Sequence, residues 1–121
     1  MIFDNLKSKK HTSVFKQFNF NSTKANEYEL IHTITIPANH ILFINSIIGF
    51  SNAVPMGLRI CANENVSNCY ENSEQGNSYV NMLSCSQIIH ANNNSKTIYI
   101  FGKWNAASWN WVEINGYYEP M

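Results

Sequence analysis

The last quarter of the chain, residues 96–120, constrains the fold most, because it holds all three tryptophans and three of the six tyrosines. Residues 97–104 are dense in β-branched and aromatic side chains, and residues 109–118 alternate before a glycine at Gly116. Such residues are enriched in strands, and the small polar stretch between the two runs is typical of a turn. The sequence therefore predicts two closing β-strands, whose aromatic surface must pack inside, pair with another chain or face a ligand.

Strand patterns also recur upstream of this pair. Further strands are predicted at 12–20, 28–36, 40–50, 56–62 and 78–90. In the second of these, alternation predicts one buried face that carries Tyr28, Leu30, His32, Ile34 and Ile36. Residues 40–50 are apolar at both parities, which favours a strand buried on both faces or at a subunit contact, with a helix as the alternative. Residues 63–78 are predicted to be a long polar loop. Together these patterns predict an all-β fold, an antiparallel β-sandwich or jelly roll.

The composition predicts one domain in a chain of 121 residues. Residues 1–26 are interpreted as a polar lead with one early strand, which could attach the protein to a partner, and residues 27–121 as the folded domain. The formal net charge is zero, so no electrostatic case exists for nucleic acid or an anionic membrane. We expect neither a signal peptide nor membrane insertion, because no stretch is apolar enough.

Candidate chemistry is sparse. The three cysteines, Cys61, Cys69 and Cys85, fit no zinc or redox spacing, and their odd number favours buried free thiols over a bridge between Cys61 and Cys69. The four histidines show no metal-ligand spacing. In a trimer, however, a histidine on the three-fold axis could bind a metal together with its two copies. No nucleophile elbow or phosphate-binding glycine loop occurs. The sequence predicts no enzyme activity, no metal and no cofactor.

Two long motifs resemble a known family. The segments ITIPANHILFINSIIGFSNAVPMGLRI and SQIIHANNNSKTIYIFGKWNAASWNWVEINGYY are similar to the two halves of the TNF/C1q-like jelly roll, as found in phage tail-fibre tips and bacterial collagen-like surface proteins. Residues 114–118, INGYY, resemble the closing motif of that family. The resemblance covers roughly residues 27–118.

The resemblance implies a compact homotrimer whose late-strand aromatic residues line the three-fold contact. The residues that it assigns to this contact are Phe43, Trp111, Tyr117 and Tyr118. A domain with few charges would also hide apolar surface by oligomerisation.

The implied function is that of a virion-associated tail-fibre or receptor-binding domain that recognises a carbohydrate on the host surface. Its candidate ligand residues are Trp104, Asn105, Trp109 and Asn110, where indoles could stack on a sugar ring and amides could bind its hydroxyls. The alternative places the tryptophans in the core or the trimer contact. The alternative functions are a structural protein without a ligand (a capsid or tail decoration protein or a trimerisation knob) and a bacterial surface or spore-coat jelly roll. The expected location is the virion or the cell surface, with other virion proteins as partners of the N-terminal segment.

Overall fold

Nine strands make up the fold in the computed structural model, which describes residues 11–51, 55–66, 69–74 and 80–121. The strands are β1 (Thr12–Ser13), β2 (Lys16–Ser22), β3 (Tyr28–Ile36), β4 (His40–Ser51), β5 (Pro55–Cys61), β6 (Cys69–Glu74), β7 (Val80–Ala91), β8 (Lys96–Trp104) and β9 (Ser108–Pro120). Short turns at residues 37–39, 92–95 and 105–107 separate β3 from β4, β7 from β8 and β8 from β9.

The strands form two antiparallel sheets. In sheet A the order is β1-β9-β4-β7, and β2 also pairs with β9. In sheet B the order is β3-β8-β5-β6. The prediction of an all-β antiparallel sandwich is confirmed. Across the part of the chain that the structure describes, no helix is long and apolar enough to cross a membrane.

The core lies between the two sheets and consists almost entirely of aliphatic side chains. Its largest completely buried members are Trp104, Ile36, Leu42, Ile44, Ile47, Leu58, Ile60, Ile98, Ile100, Ile114 and Val112. Branched side chains pack well on a pleated surface, which explains why isoleucine dominates. Trp104 is the one large aromatic residue in this buried set, so the core is closed by an indole at one end.

A β-bulge explains the apolar residues at both parities of β4. The register of β4 shifts between Ile44 and Ser46, both against β9 and against β7. Leu42, Ile44 and Ile47 are completely buried, so the inward positions skip one residue at the bulge. The apolar residues of β4 that do not face the core are therefore on the outer side of sheet A. No described residue of β4 is helical.

A second bulge overturns part of the face predicted for β3. The register with β8 shifts between Leu30 and His32, and Ile31 turns inward instead of Leu30. Leu30 is 42% exposed. Strict alternation was the wrong assumption here, because one inserted residue exchanges the two faces of a strand.

The predicted strand 12–20 is present but interrupted. Val14, Phe18 and Phe20 pack against the core, as the alternation predicts, whereas Phe15 is 52% exposed. The interruption falls between β1 and β2, where the Val14 amide donates a hydrogen bond to the Gly116 carbonyl. Both strands pair with β9, so this early segment is part of sheet A.

Two predictions for residues 61–78 are wrong. The polar segment contains strand β6, which pairs with β5. Cys61 and Cys69 are partners in this hairpin and form a disulfide, with their Cα atoms 3.9 Å apart, so they are not free thiols. The side chain of Cys85 lies outside the described residues.

Candidate interaction surface

The outer side of sheet A carries an unusual number of large apolar side chains. Alternation places outward those residues of β4, β7 and β9 that lie between the buried positions. We call the following residues the aromatic face: Ile41, Phe43, Ile48, Ile88, Trp109, Trp111 and Tyr117. An antiparallel sheet in a monomer normally turns polar side chains to the solvent, so this face indicates an interaction surface.

Stacked rings form one half of the aromatic face. Phe43 and Tyr117 are cross-strand partners, and their ring centroids lie 4.9 Å apart in a stacked arrangement. His11 stacks on the same Tyr117 ring at 4.5 Å. Ile88 is the partner of Phe43 on the other neighbouring strand and is 50% exposed. Cross-strand contacts of this kind fix the side chains in place, so the surface is pre-organised.

Glu113, the acidic residue in the middle of the aromatic face, accepts hydrogen bonds from two side-chain amides. Gln17 Nε2 donates to Glu113 Oε1 at 2.6 Å, and Asn115 Nδ2 donates to Glu113 Oε2 at 3.1 Å. These hydrogen bonds, first that of Gln17 and then that of Asn115, lower the pKa of Glu113. Asn115 Nδ2 also lies 3.1 Å from Ser46 Oγ on the neighbouring strand. The carboxylate thus has partners within its own sheet and does not leave unpaired acceptors beside the apolar residues.

A second acidic group lies at the end of the face. His11 Nε2 is 2.6 Å from Glu119 Oε2, and His11 is 51% exposed. The same imidazole stacks on Tyr117, so the contact with Glu119 and the ring contact together hold the start of the described chain against sheet A.

Three of the four predicted contact residues belong to the aromatic face. Phe43, Trp111 and Tyr117 point outward and are partly exposed. Tyr118 does not join them, because its neighbour Tyr117 takes the outward position and Tyr118 packs against the core. It meets the His40 ring edge-on, with the centroids 5.6 Å apart. The assignment of Tyr118 to the contact is therefore corrected, because successive side chains of a strand point to opposite faces of the sheet.

The predicted ligand residue Trp104 is buried. Its exposed fraction is 0%, its ring stacks on Phe20 at 5.6 Å, and its Nε1 has no hydrogen-bond partner. A Cβ placed on Gly102 would lie 2.4 Å from the indole, so this glycine makes the room that the ring occupies. A sugar could reach the ring only if the core opened, and the prediction that Trp104 is a stacking platform is wrong.

Asn110 is equally inaccessible. It is completely buried, its Nδ2 donates to the Phe20 carbonyl at 2.9 Å, and its Oδ1 accepts from Ser108 Oγ at 2.9 Å. Ser22 Oγ continues this network by accepting from the Ser108 amide at 2.9 Å. The polar cluster joins the end of β2 to the start of β9. Asn110 thus has a structural role, and its assignment to a ligand is corrected.

The remaining two candidate ligand residues lie on the surface. Asn105 is in the turn between β8 and β9, and Trp109, the second residue of β9, is 51% exposed. Only half of the predicted cluster is thus accessible, since the backbone turns Trp104 and Asn110 inward. A carbohydrate contact at Asn105 and Trp109 stays a prediction.

The shallow depressions among the described residues include the following two. One, of about 390 Å³, lies above the disulfide loop and is lined by Ala62, Asn63, Glu64, Asn65 and Tyr99. The other, of about 330 Å³, lies at the open edge between the sheets. Within the described ranges no three histidine, cysteine or acidic side chains come together as a metal site would require.

Sequence reasoning found the aliphatic part of the aromatic face only in part. It placed residues 40–50, which include Ile41 and Ile48, at a possible subunit contact, but it did not assign Ile88 to one. The signal was present in the apolar residues at both parities of 40–50. Only the bulge in β4 decides which of those residues face outward.

Comparison with known proteins gives a likeness of fold. No family model matches the chain, and no curated protein matches it. Among solved structures, the chain is similar to a subunit of Bacillus endospore appendages, described as a novel family of disulfide-linked pili, with a TM-score of 0.55 and 10% identity. That match covers 95% of this chain and 92% of the other. A protein of infectious bursal disease virus, strain Gx, matches with a TM-score of 0.47 and 12% identity, over 93% of this chain and 38% of that one.

Proposed function

We propose that this protein is a structural subunit that assembles with copies of itself on a cell or virion surface. The aromatic face carries the proposal, because sheet A offers a pre-organised apolar surface that a second copy can cover. The similarity to an appendage subunit over nearly the whole of both chains supports a fold suited to this role. This is the structural alternative among the predicted functions.

The strand order supports the finer interpretation of the fold as a jelly roll. Strands β2 to β9 divide equally between the sheets, in the orders β2-β9-β4-β7 and β3-β8-β5-β6. Eight strands in two sheets with Greek-key connections define a jelly roll, a fold common in capsid and surface proteins. Neither this order nor the fold likeness singles out the TNF/C1q type, so the three-fold symmetry that this type implies stays a prediction.

The size of the face suits a stable contact between copies. Strands β4 and β9 pair over 11 positions, which corresponds to about 36 Å at roughly 3.3 Å per residue. The three strands that carry the face, β4, β7 and β9, give a width of about 14 Å at about 4.8 Å each. The product is about 500 Å² per copy, a large part of the roughly 800 Å² per partner of a standard interface.

The disulfide supports a location outside the reducing cytosol. Disulfides persist in secreted proteins, on cell surfaces and on virions, and are rare in cytosolic proteins. The Cys61–Cys69 bridge therefore agrees with an appendage, capsid or surface setting. Attachment through the N-terminal segment to other surface or virion proteins belongs to the same proposal.

The role as a receptor-binding domain for a host carbohydrate has less support. Two of its four residues are buried, and one of the remaining two, Trp109, also belongs to the aromatic face. The structural role explains why Trp109 is partly exposed together with the six other residues of the aromatic face. Carbohydrate binding explains only part of the predicted set of ligand residues. We therefore propose a structural, non-catalytic subunit, without a cofactor.

Sedimentation velocity of the purified protein over a range of concentrations tests the proposal. The double variant Phe43→Ser/Tyr117→Ser removes the stacked pair of the aromatic face. We expect self-association to weaken by roughly 30-fold or more, because buried aromatic residues commonly contribute about 2 kcal/mol or more to an interface.

The matched control is Leu30→Ser, which removes an exposed apolar side chain from sheet B. It should associate as the unmodified protein does. Equal association of the double variant and the unmodified protein, with both folded, would show that the aromatic face is not the contact.

A further inference from the structure

The open edge of sheet B is a second surface with the properties of a pairing site. Strand β3 is the outermost strand of the described sheet, so one side of its backbone is not paired with a neighbouring strand there. After the bulge, residues 32–36 run in regular register with β8. Their sequence, HTITI, has high strand propensity and contains neither the lysine nor the proline by which edge strands commonly prevent pairing. Pro37 follows only where the strand has ended.

This edge also carries little charge. Among residues 32–36, His32 is the only titratable group, and burial, followed by the nearby Lys16, lowers the pKa of that imidazole. The half-buried ring packs near Phe18, with the two ring centroids 5.4 Å apart. Near neutral pH the edge from residue 32 to residue 36 therefore carries no charge of its own to repel an approaching strand.

A depression follows the edge. It has a volume of about 330 Å³, and its lining combines β3 with the interruption between β1 and β2: Ser13, Val14, Phe15, Lys16, His32, Thr33, Ile34, Thr35 and Tyr118. The depression thus lies where sheet A is interrupted between β1 and β2. The space suits inward side chains of an added strand, and the exposed Phe15 borders it.

We propose that β3 of one copy pairs antiparallel with β3 of a second copy about a two-fold axis at Ile34. Ile34 is the midpoint of residues 32–36, so this register pairs all five and avoids both the bulge and Pro37. It sets Thr33 opposite Thr35 of the second copy, and Thr35 opposite Thr33. Both threonines are exposed on the outer side of sheet B, and threonine pairs are favourable cross-strand neighbours.

The proposal rests on the proposed function, since it supplies a self-assembling subunit with a second contact. The aromatic face and the β3 edge lie on different sheets, so one copy can use both at once. Two different contacts between copies produce assemblies larger than either contact closes alone. The pairing joins two four-stranded sheets into one continuous sheet.

A charge exchange at the two threonines tests both the contact and its register. In the variant Thr33→Lys/Thr35→Lys, the proposed pairing places the two ammonium groups of one copy opposite the two ammonium groups of the second copy. In Thr33→Lys/Thr35→Glu the same positions meet opposite charges. Both variants are compared in the Phe43→Ser/Tyr117→Ser background, where the other contact is weakened, and in the unmodified protein.

We expect the lysine pair to weaken the association through the edge by roughly tenfold relative to the lysine–glutamate pair, since each cross-strand pair contributes up to about 1 kcal/mol. High salt should reduce this difference. Equal sedimentation of the two charge variants would overturn the proposal, as would dimers of the lysine pair as tight as those of the background protein. Failure of the aromatic-face variants alone would leave this comparison intact, so the two proposals fail separately.

Discussion

At the scale of single residues, Trp104 and Trp109 show how position decides what an indole does. They are five residues apart and lie on either side of one turn. Trp104 closes the core, whereas Trp109 is half exposed. The sequence identifies both as strand residues beside a turn, but not which of them faces inward, because this depends on the space that Gly102 leaves below the ring.

Substitution of Trp104 tests its place in the core. Trp104→Ala should lower the free energy of unfolding by about 3 to 5 kcal/mol, because a large cavity remains. Trp104→Phe should lower it less, since the indole N–H has no hydrogen-bond partner to lose. Urea titration followed by circular dichroism measures both. Trp109→Ala is the control, and a loss as large as that of Trp104→Ala would contradict the assignment.

His32 predicts a dependence of stability on pH. Its pKa is lowered in the folded state, so between that pKa and the ordinary value of about 6.5 the unfolded chain binds more protons. Stability should therefore fall as the pH is lowered through this window. Urea midpoints at pH 7.5 and 5.5 measure the fall, and His32→Gln should show a smaller one. An equal fall in both proteins would exclude His32 as its source.

At the scale of elements, the sequence pattern predicts where the strands lie but not where β-bulges interrupt their alternation. Alternation predicts the location of β3 and β4 correctly, and it predicts the inward side of β2 from Phe18 and Phe20. It fails at Leu30, since a bulge inserts one residue and exchanges the faces without any sequence signal such as glycine or proline. The sequence pattern also fails to predict strand β6, because the polar residues of this strand are typical of a loop.

The hairpin of β5 and β6 offers a separate test. The bridge between Cys61 and Cys69 closes a short loop, in which Val66 adopts a positive φ of 57°. Cys61→Ala/Cys69→Ala should lower the free energy of unfolding by about 2 to 3 kcal/mol, on the chain-entropy account of short loops. Alkylation of the unfolded, unreduced protein provides the direct check. We expect modification of a single cysteine, and modification of all three would contradict the bridge.

At the scale of the whole molecule, the sequence predicts the class of fold and part of the surface. The all-β sandwich follows from the strand patterns, and Phe43, Trp111 and Tyr117 follow from the resemblance. The inward turn of Tyr118 and the burial of Asn110 depend on pairing between strands that are distant in sequence, which no local pattern contains. The aromatic face thus forms only once the strands of the two sheets are paired.

The central claim is that copies of this chain cover the outer side of sheet A. Sedimentation velocity of the unmodified protein, over a hundredfold range of concentrations, tests it most directly. We predict a species of two or more copies that persists on dilution, and we expect its association to be weakened in Phe43→Ser/Tyr117→Ser, where only the β3 edge remains, but not in Leu30→Ser. A folded monomer at every concentration would contradict the account.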